Sequence, residues 1–442
     1  MHTIGLDIGT TSICAVKTDA DSGEVKLSRT RANNAAIDGT AEFEKLQDAD
    51  VIAETVRELL AEAGGGAAIG LTGQMHGILY TDANGNAVSP LYTWQDRRGD
   101  EPYKDGLTYA EYLSRESGLK SAAGFGMTTH FYNTVNGLVP PNAAALCTIA
   151  DYAGMKLTGA KRPVLHPSNA DSLGLFDAGT GKFWREDSAP KVADGFPLLG
   201  ETADGIPVSA AIGDNQASFI GSVRDMERAV LVNVGTGSQV SLKVTRGDAP
   251  KGLEARPCVG GGFLLVGAAL CGGRSFALLE RFFRDTAQLG GKGGDSFYPY
   301  IDKWLEANQT LPKDAPVFSN KFCGTRENPR ERGTVTNLGI HNFTPGHFIA
   351  GILRGIAEEL FSLYAQTGAK RDFLAGAGNG IRKNRALARL LEELFGLPLH
   401  IPAHTEEAAF GAGLFALTAA GRRKTLGEAQ QMIQYERSRH NV

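Results

Sequence analysis

Residues 4–17, Ile-Gly-Leu-Asp-Ile-Gly-Thr-Thr-Ser-Ile-Cys-Ala-Val-Lys, constrain this chain more than any other stretch, because their pattern returns. Residues 230–243, Val-Leu-Val-Asn-Val-Gly-Thr-Gly-Ser-Gln-Val-Ser-Leu-Lys, align with them without a gap, Gly9 on Gly235, Thr10 on Thr236 and Ser12 on Ser238. Each copy is an apolar run, a small-residue corner and a second apolar run, the signature of a β-hairpin with an unobstructed tip. The offset, 235 − 9 = 226 residues, is about half of the 442-residue chain. A hairpin that opens each half predicts a duplicated domain, with the ligand taken between the copies. Glycines Gly9, Gly235 and Gly237 let backbone N–H groups approach that ligand, and Thr10, Thr11, Ser12, Thr236 and Ser238 add hydroxyls. A polyphosphate suits such tips, and Asp7 at the end of the first strand is placed to hold a hydrated Mg²⁺. Asn233 replaces that carboxylate in the second copy, so one half would hold the metal while both hold phosphate oxygens. A single glycine–threonine corner is ordinary hairpin punctuation; the repetition is what argues for a ligand.

The length suits two domains of about 200 residues each. Strand–helix alternation in both halves predicts two α/β domains, 1–225 and 226–442. Helical spacing marks Val51–Ala63, Ser275–Leu289, Gly351–Gln366 and Asn384–Phe395. Residues 100–205 are less regular and read as an insertion over one side of the first domain. A net charge of −4 leaves no electrostatic footprint for nucleic acid. The chain enters a strand at once, without a signal-peptide pattern, and its longest apolar run, Phe263–Leu270, falls short of the ~18 residues of a membrane span. The expectation is a cytoplasmic protein, monomer or homodimer, without nucleic-acid or membrane partners. The five scattered cysteines have no metal-ligand spacing and read as reduced and mostly buried.

Four further stations carry polar groups at predicted strand ends, where open α/β sheets bind ligands. Asp214, followed by Asn215 and small residues, is a candidate general base for a hydroxyl attacking a γ-phosphorus; taken alone it reads more readily as a helix N-cap, and the repeated hairpin is what favours catalysis. Gln74, Met75 and His76 offer donors and acceptors for a polyol, although a histidine there is as often a satisfied core residue. Trp94, Asp96 and Arg97 combine an aromatic face with charge and suit a sugar, or else form a salt-bridged surface turn. Gly376-Ala377-Gly378-Asn379-Gly380 would let a purine lie on bare backbone, with Arg382 and Asn384 as polar contacts; a ligand-free strand–helix turn has the same composition. The small-residue run Glu406–Gly413 is expected to pack closely beneath that loop.

These stations, in this order and over nearly the whole chain, resemble the FGGY carbohydrate kinases, of the actin/hexokinase/Hsp70-type ATPase fold: two duplicated ribonuclease H-like domains with a cleft between them. Asp-Ile-Gly-Thr-Thr-Ser at 7–12 and Gly-Thr-Gly-Ser at 235–238 resemble the family's phosphate loops. Gly-Gln-Met-His-Gly at 73–77 resembles its ketose segment, Gly-Asp-Asn at 213–215 its catalytic-base motif, and residues 376–380 its adenosine loop. The resemblance implies ATP-dependent, Mg²⁺-assisted phosphorylation of a sugar hydroxyl, with sugar and base on the first domain and nucleotide on the second. Thr93–Asp96, Asn169–Phe176 and Gly376–Asn384 look more like members acting on sedoheptulose, at O7, than like those acting on xylulose. Many members carry a basic residue where this chain has Cys14; Lys17 points to the opposite face of the strand and is a poor substitute. The rival readings are a D-xylulose kinase and a non-catalytic sugar-binding or assembly protein of the same fold.

Overall fold

In the computed structural model, residues 1–185, 189–291, 293–325 and 328–436 are described. The chain forms two compact units: residues 1–224, 256–263 and 406–434, and residues 225–255, 264–405 and 435–442. The chain passes from one unit to the other at Arg224–Asp225, and the units are not contiguous halves: the segments 256–263 and 406–434 belong with the first.

The first unit is built on a seven-stranded sheet. Strands β1 (His2–Ile8) and β2 (Ser12–Asp19) form the predicted hairpin, Asp7 opposite Cys14, and β3 (Val25–Ala32) continues it. On the other side of β1 strand Ile69–Gly73 runs parallel, and beside that lie Pro207–Ser209 and Ile212–Gly213. In the second unit strand Ala229–Val234 pairs antiparallel with Ser238–Val244 and parallel with Phe373–Ala377. Its six-stranded order, Leu253–Pro257, Phe263–Ala269, Ser238–Val244, Ala229–Val234, Phe373–Ala377, Leu399–His400, repeats the first around the hairpin. The copies differ in one respect that gapless alignment conceals. Ile8 pairs with Ile13, leaving four residues at the first tip, whereas Val234 pairs with Ser238, leaving three at the second.

Each unit has its own core. Helix α1 (Ala49–Ala63) buries Ile52, Val56 and Leu59 on the first sheet, capped by the Asp48 carboxylate and stopped by Gly64 at φ +67°. Val51, expected on the buried stripe, is exposed. In the second unit helix Pro345–Ala365 buries Ile352, Leu353, Ile356 and Leu360 between the sheet and helix Arg385–Phe395. Helix Glu407–Ala419 corrects the expectation placed on its small residues. It packs on the first sheet and on helix Asp214–Ser222, backbone against backbone. A Cβ on Gly5 would lie 1.7 Å from Ala409 O, one on Gly70 1.8 Å from Ala412 O, and one on Gly411 1.9 Å from Ala217 O. Reciprocal glycines are the physical reason that this late segment joins the first unit.

Candidate active site

The first unit gathers its polar groups where three parallel strands end. Ile8 is paired with Gly73 and Gly73 with Gly213, so the residues after them, Gly9, Gln74 and Asp214, leave the sheet together at its carboxyl edge. Asp214 is the first residue of helix Asp214–Ser222 and not its cap, which is Gly213. Its Oδ1 accepts from Asn215 Nδ2 at 2.7 Å. Burial holds the Asp214 carboxyl above the usual range, opposed by the Asn215 hydrogen bonds and by Arg256. The helix N-terminus also favours the anion. Asp7, set deep on β1, is pushed up to about 7 by burial, then by the carboxylates of Asp214 and Glu406. Asp7 thus faces two further carboxylates, a setting that a cation would relieve. Among the described residues no three His, Cys, Asp or Glu side chains converge closely enough to chelate a metal. A lone carboxyl such as Asp7 fits a hydrated Mg²⁺, an ion that dehydrates reluctantly and is commonly held by only one or two carboxylates.

The first hairpin tip is braced from both sides. Thr10 Oγ1 donates to Gln74 Oε1 at 3.3 Å and accepts from Trp94 Nε1 at 2.9 Å; Gln47 Nε2 donates to Thr10 O at 3.0 Å and accepts at Oε1 from Gln74 Nε2 at 2.8 Å. Asn33 Nδ2 and N hold Gly9 O and Thr11 O, both at 2.9 Å. Gln74 is buried and serves the tip. His76 adopts a left-handed backbone at φ +74°, lies flat on Phe125 at 4.6 Å, and donates from Nδ1 to Ser172 O at 2.6 Å. A carbonyl oxygen only accepts, so Nδ1 carries a proton. Met75 Sδ lies 3.9 Å from Asn215 Nδ2. Asp7, Thr10, Gln74, Met75, His76, Trp94, Asp214 and Asn215 thus occupy one region of the first unit.

Asp96 and Arg97 do not join them. Asp96 is fully buried; Arg98 Nε donates to its Oδ1 at 2.7 Å, Arg98 Nη2 and Lys45 N to its Oδ2 at 3.1 and 3.3 Å. Arg98 is stacked over Tyr92 at 4.3 Å. The carboxylate has no oxygen left for a sugar, and exposed Arg97 pairs with Asp100. The cluster read as one site is a buried ion pair plus a surface pair. Lys17 Nζ is spent on Ala63 O at 2.8 Å, as its strand face implied. Cys14, opposite Asp7, is buried, and burial pushes its thiol up to about 12.

The second unit holds a cavity of about 910 Å³, lined by Gly235, Thr236, Gly378, Asn379 and Asn384 among the expected residues. Gly378, at φ +82°, needs to be glycine: a Cβ would lie 2.5 Å from both Asn233 Oδ1 and Val234 O. Asn384 also caps helix Arg385–Phe395 through Leu387 N at 3.0 Å. Gly237, Ser238, Gly376 and Arg382, all expected here, are not on the lining. Gly376 packs against Leu399 and Ile381, Ser238 is buried, and Gly237 faces the carbonyl of Ala269. Arg382 turns to Pro402 O and His404 O, and the exposed Lys383 lines the cavity in its place. Arg274, Phe276, Tyr298 and Asp302, which no local pattern marked, complete one wall. Glu406 and Arg256 were missed in the first unit. Glu406 lies 406 − 7 = 399 residues from Asp7, and nothing local signals that approach.

Two sequence models match. That of the FGGY family of carbohydrate kinases, N-terminal domain, covers residues 2–187, and that of the C-terminal domain covers residues 231–420. A Mus musculus protein named sedoheptulokinase is 27% identical over 94% of this chain and 97% of its own. A glycerol kinase of Aquifex aeolicus is 24% identical over 96% and 91%. Among solved structures, a xylulose kinase from Rhodospirillum rubrum superposes with a TM-score of 0.82 at 20% identity, covering 99% of this chain and 93% of that one. The two-domain actin-type, ribonuclease H-like fold is thereby shared.

Proposed function

The chain belongs to the FGGY family of carbohydrate kinases, and from that premise we propose that it transfers the γ-phosphoryl group of ATP to the terminal hydroxyl, O7, of sedoheptulose. The observation that carries the reading is the pair Asp7 and Asp214. Two carboxyls at adjacent strand ends are both raised by burial but differ in what faces them: Asp7 faces the carboxylates of Asp214 and Glu406 and is suited to a cation, while Asp214, at a helix N-terminus with Asn215 and Arg256 opposing the shift, is suited to taking a proton.

In this reading Asp214 accepts the proton of the attacking hydroxyl, with Oδ1 oriented by Asn215. The transfer itself depends on positioning and charge neutralisation more than on covalent help from the protein. Mg²⁺, when bound beside Asp7, supplies positive charge to the phosphates. Met75, His76 and Trp94 border the acceptor. Gln74 keeps Thr10, at the phosphate-sized tip, in place. Gly235, Thr236, Asn379 and Asn384 hold the nucleotide in the second unit's cavity, with Lys383 and Arg274 as its cations. Choice of sedoheptulose rests on the relatives that bear that name.

Coupled ADP release against a panel of sedoheptulose, D-xylulose, glycerol and gluconate, read as relative kcat/KM, tests this. Sedoheptulose is expected to lead. A lead by D-xylulose or glycerol would replace the substrate and keep the chemistry, whereas no release with any acceptor would favour a sugar-binding role.

A further inference from the structure

Two of the five cysteines, 52 positions apart, lie side by side in the second unit. The Sγ atoms of Cys271 and Cys323 are 3.7 Å apart. Arg274 Nη1 donates to Cys323 Sγ at 3.4 Å. That guanidinium, together with the neighbouring Cys271 sulfur, holds the Cys323 thiol below its ordinary range. Cys323 is half-buried, whereas Cys271, Cys14, Cys147 and Cys258 are buried, and burial pushes the thiols of the first three up. One accessible sulfur of thiolate character therefore touches a second, sheltered one. That is the disposition of an attacking and a resolving thiol.

The position of the pair matters as much as its chemistry. Cys271 immediately precedes helix Gly272–Leu289, whose first turn carries the second hairpin tip. Gly273 N donates to Gly235 O at 2.9 Å and Arg274 N to Thr236 O at 3.0 Å. A Cβ on Gly272 would lie 2.7 Å from Gly237 O, so the backbone there has no room to shift. Arg274 also lines the cavity.

We infer that Cys271 and Cys323 form a redox site: a hydroperoxide converts them to a reversible disulfide, which weakens nucleotide binding at the adjoining loop. The Cys323 thiolate attacks a peroxide oxygen; the O–O bond breaks, hydroxide leaves, and the sulfur becomes a sulfenic acid. The Cys271 sulfur then attacks that sulfenic sulfur. The S–S bond forms, and the sulfenic oxygen departs as water with the thiol proton. The disulfide pulls on Cys271, which leads directly into the helix turn whose Gly273 and Arg274 N–H groups hold the Gly235–Thr236 corner. Formation of the disulfide concerns the thiols alone; its effect on affinity rests on the nucleotide reading of the cavity.

The test uses the full chain, reduced, treated with hydrogen peroxide and then re-reduced with dithiothreitol, with peptide mass mapping and the ADP dissociation constant measured at each stage. A Cys271–Cys323 cross-link is expected, with affinity for ADP falling at least about five-fold, the lower end of ordinary coupling between sites, and returning on reduction. Cys323→Ser and Cys323→Ala should bind ADP and ignore peroxide. Over-oxidation of Cys323, or linkage of other cysteines without this cross-link, would overturn the disulfide. A cross-link with unchanged ADP affinity would overturn the coupling. A reduced protein that cross-links yet binds no ADP would support the disulfide and reject the nucleotide reading.

Discussion

Asp7 and Asp214 show how far surroundings separate identical side chains. Asp7, with an unfolded value of 3.8 raised to about 7, stays protonated in the folded chain through the mildly acidic range and is fully ionised only above about 7. Apparent Mg²⁺ affinity and kcat/KM for ATP are therefore expected to rise between pH 6 and 8, and Asp7→Asn should flatten that profile. Asp214→Asn removes the proton acceptor while keeping shape; kcat should fall by at least about 10²-fold with sugar affinity, measured by calorimetry, retained. Unchanged kcat would remove Asp214 from the mechanism. Arg97 and Arg98 give a matched contrast. Arg98→Ala leaves Asp96 charged and buried, which is expected to lower stability by about 3–5 kcal/mol. Arg97→Ala breaks an exposed pair and should cost less than about 1 kcal/mol. Urea denaturation of the two variants checks both.

At the scale of elements, the hairpins and the glycine-rich helix obey different logic. A hairpin is written in consecutive residues: apolar alternation sets the strands and the corner sets the turn, so both copies were legible. Their one-residue difference in register was not, because alignment counts residues whereas pairing counts hydrogen bonds. Helix Glu407–Ala419 is apolar on nearly every side, and its small residues announce close packing without naming the partner. The glycines that receive it are Gly5, Gly70 and Gly221, remote in sequence. Gly411→Ala would press a methyl onto the Ala217 carbonyl, a backbone atom that cannot rotate away. A loss of about 1–3 kcal/mol is expected. Gly65→Ala, where nothing lies within 4 Å, is the control and should be near neutral by thermal unfolding.

For the whole molecule, pH dependence of stability follows from carboxyls raised on folding. Asp151 is buried against Thr148 and raised to about 7, as is Asp7. Between about 3.8 and 7 the unfolded chain has released these protons while the folded chain keeps them. Their contribution to stability is thus greatest at acid pH, falls as pH rises through that window, and is level above it. Asp151→Asn should stabilise the protein at pH 8 by on the order of 1 kcal/mol or more, with the gain vanishing near pH 4. A gain independent of pH would mean that ionisation is not its cause.

What this chain's sequence determined by itself was everything local: two hairpins with phosphate-sized tips, the strand-to-helix turns at Asp214 and Gly378, and the α/β alternation around them. Short-range sterics and hydrogen bonding decide these within a few residues. Only the tertiary structure decided that Arg98 and not Arg97 faces Asp96, that Lys383 and not Arg382 reaches the cavity, that Glu406 stands near Asp7, and that Cys271 meets Cys323. Each of those is a choice of which side chain faces inward, or a meeting between residues far apart in the chain. Such choices are settled by the packing of whole elements, which no window of sequence contains.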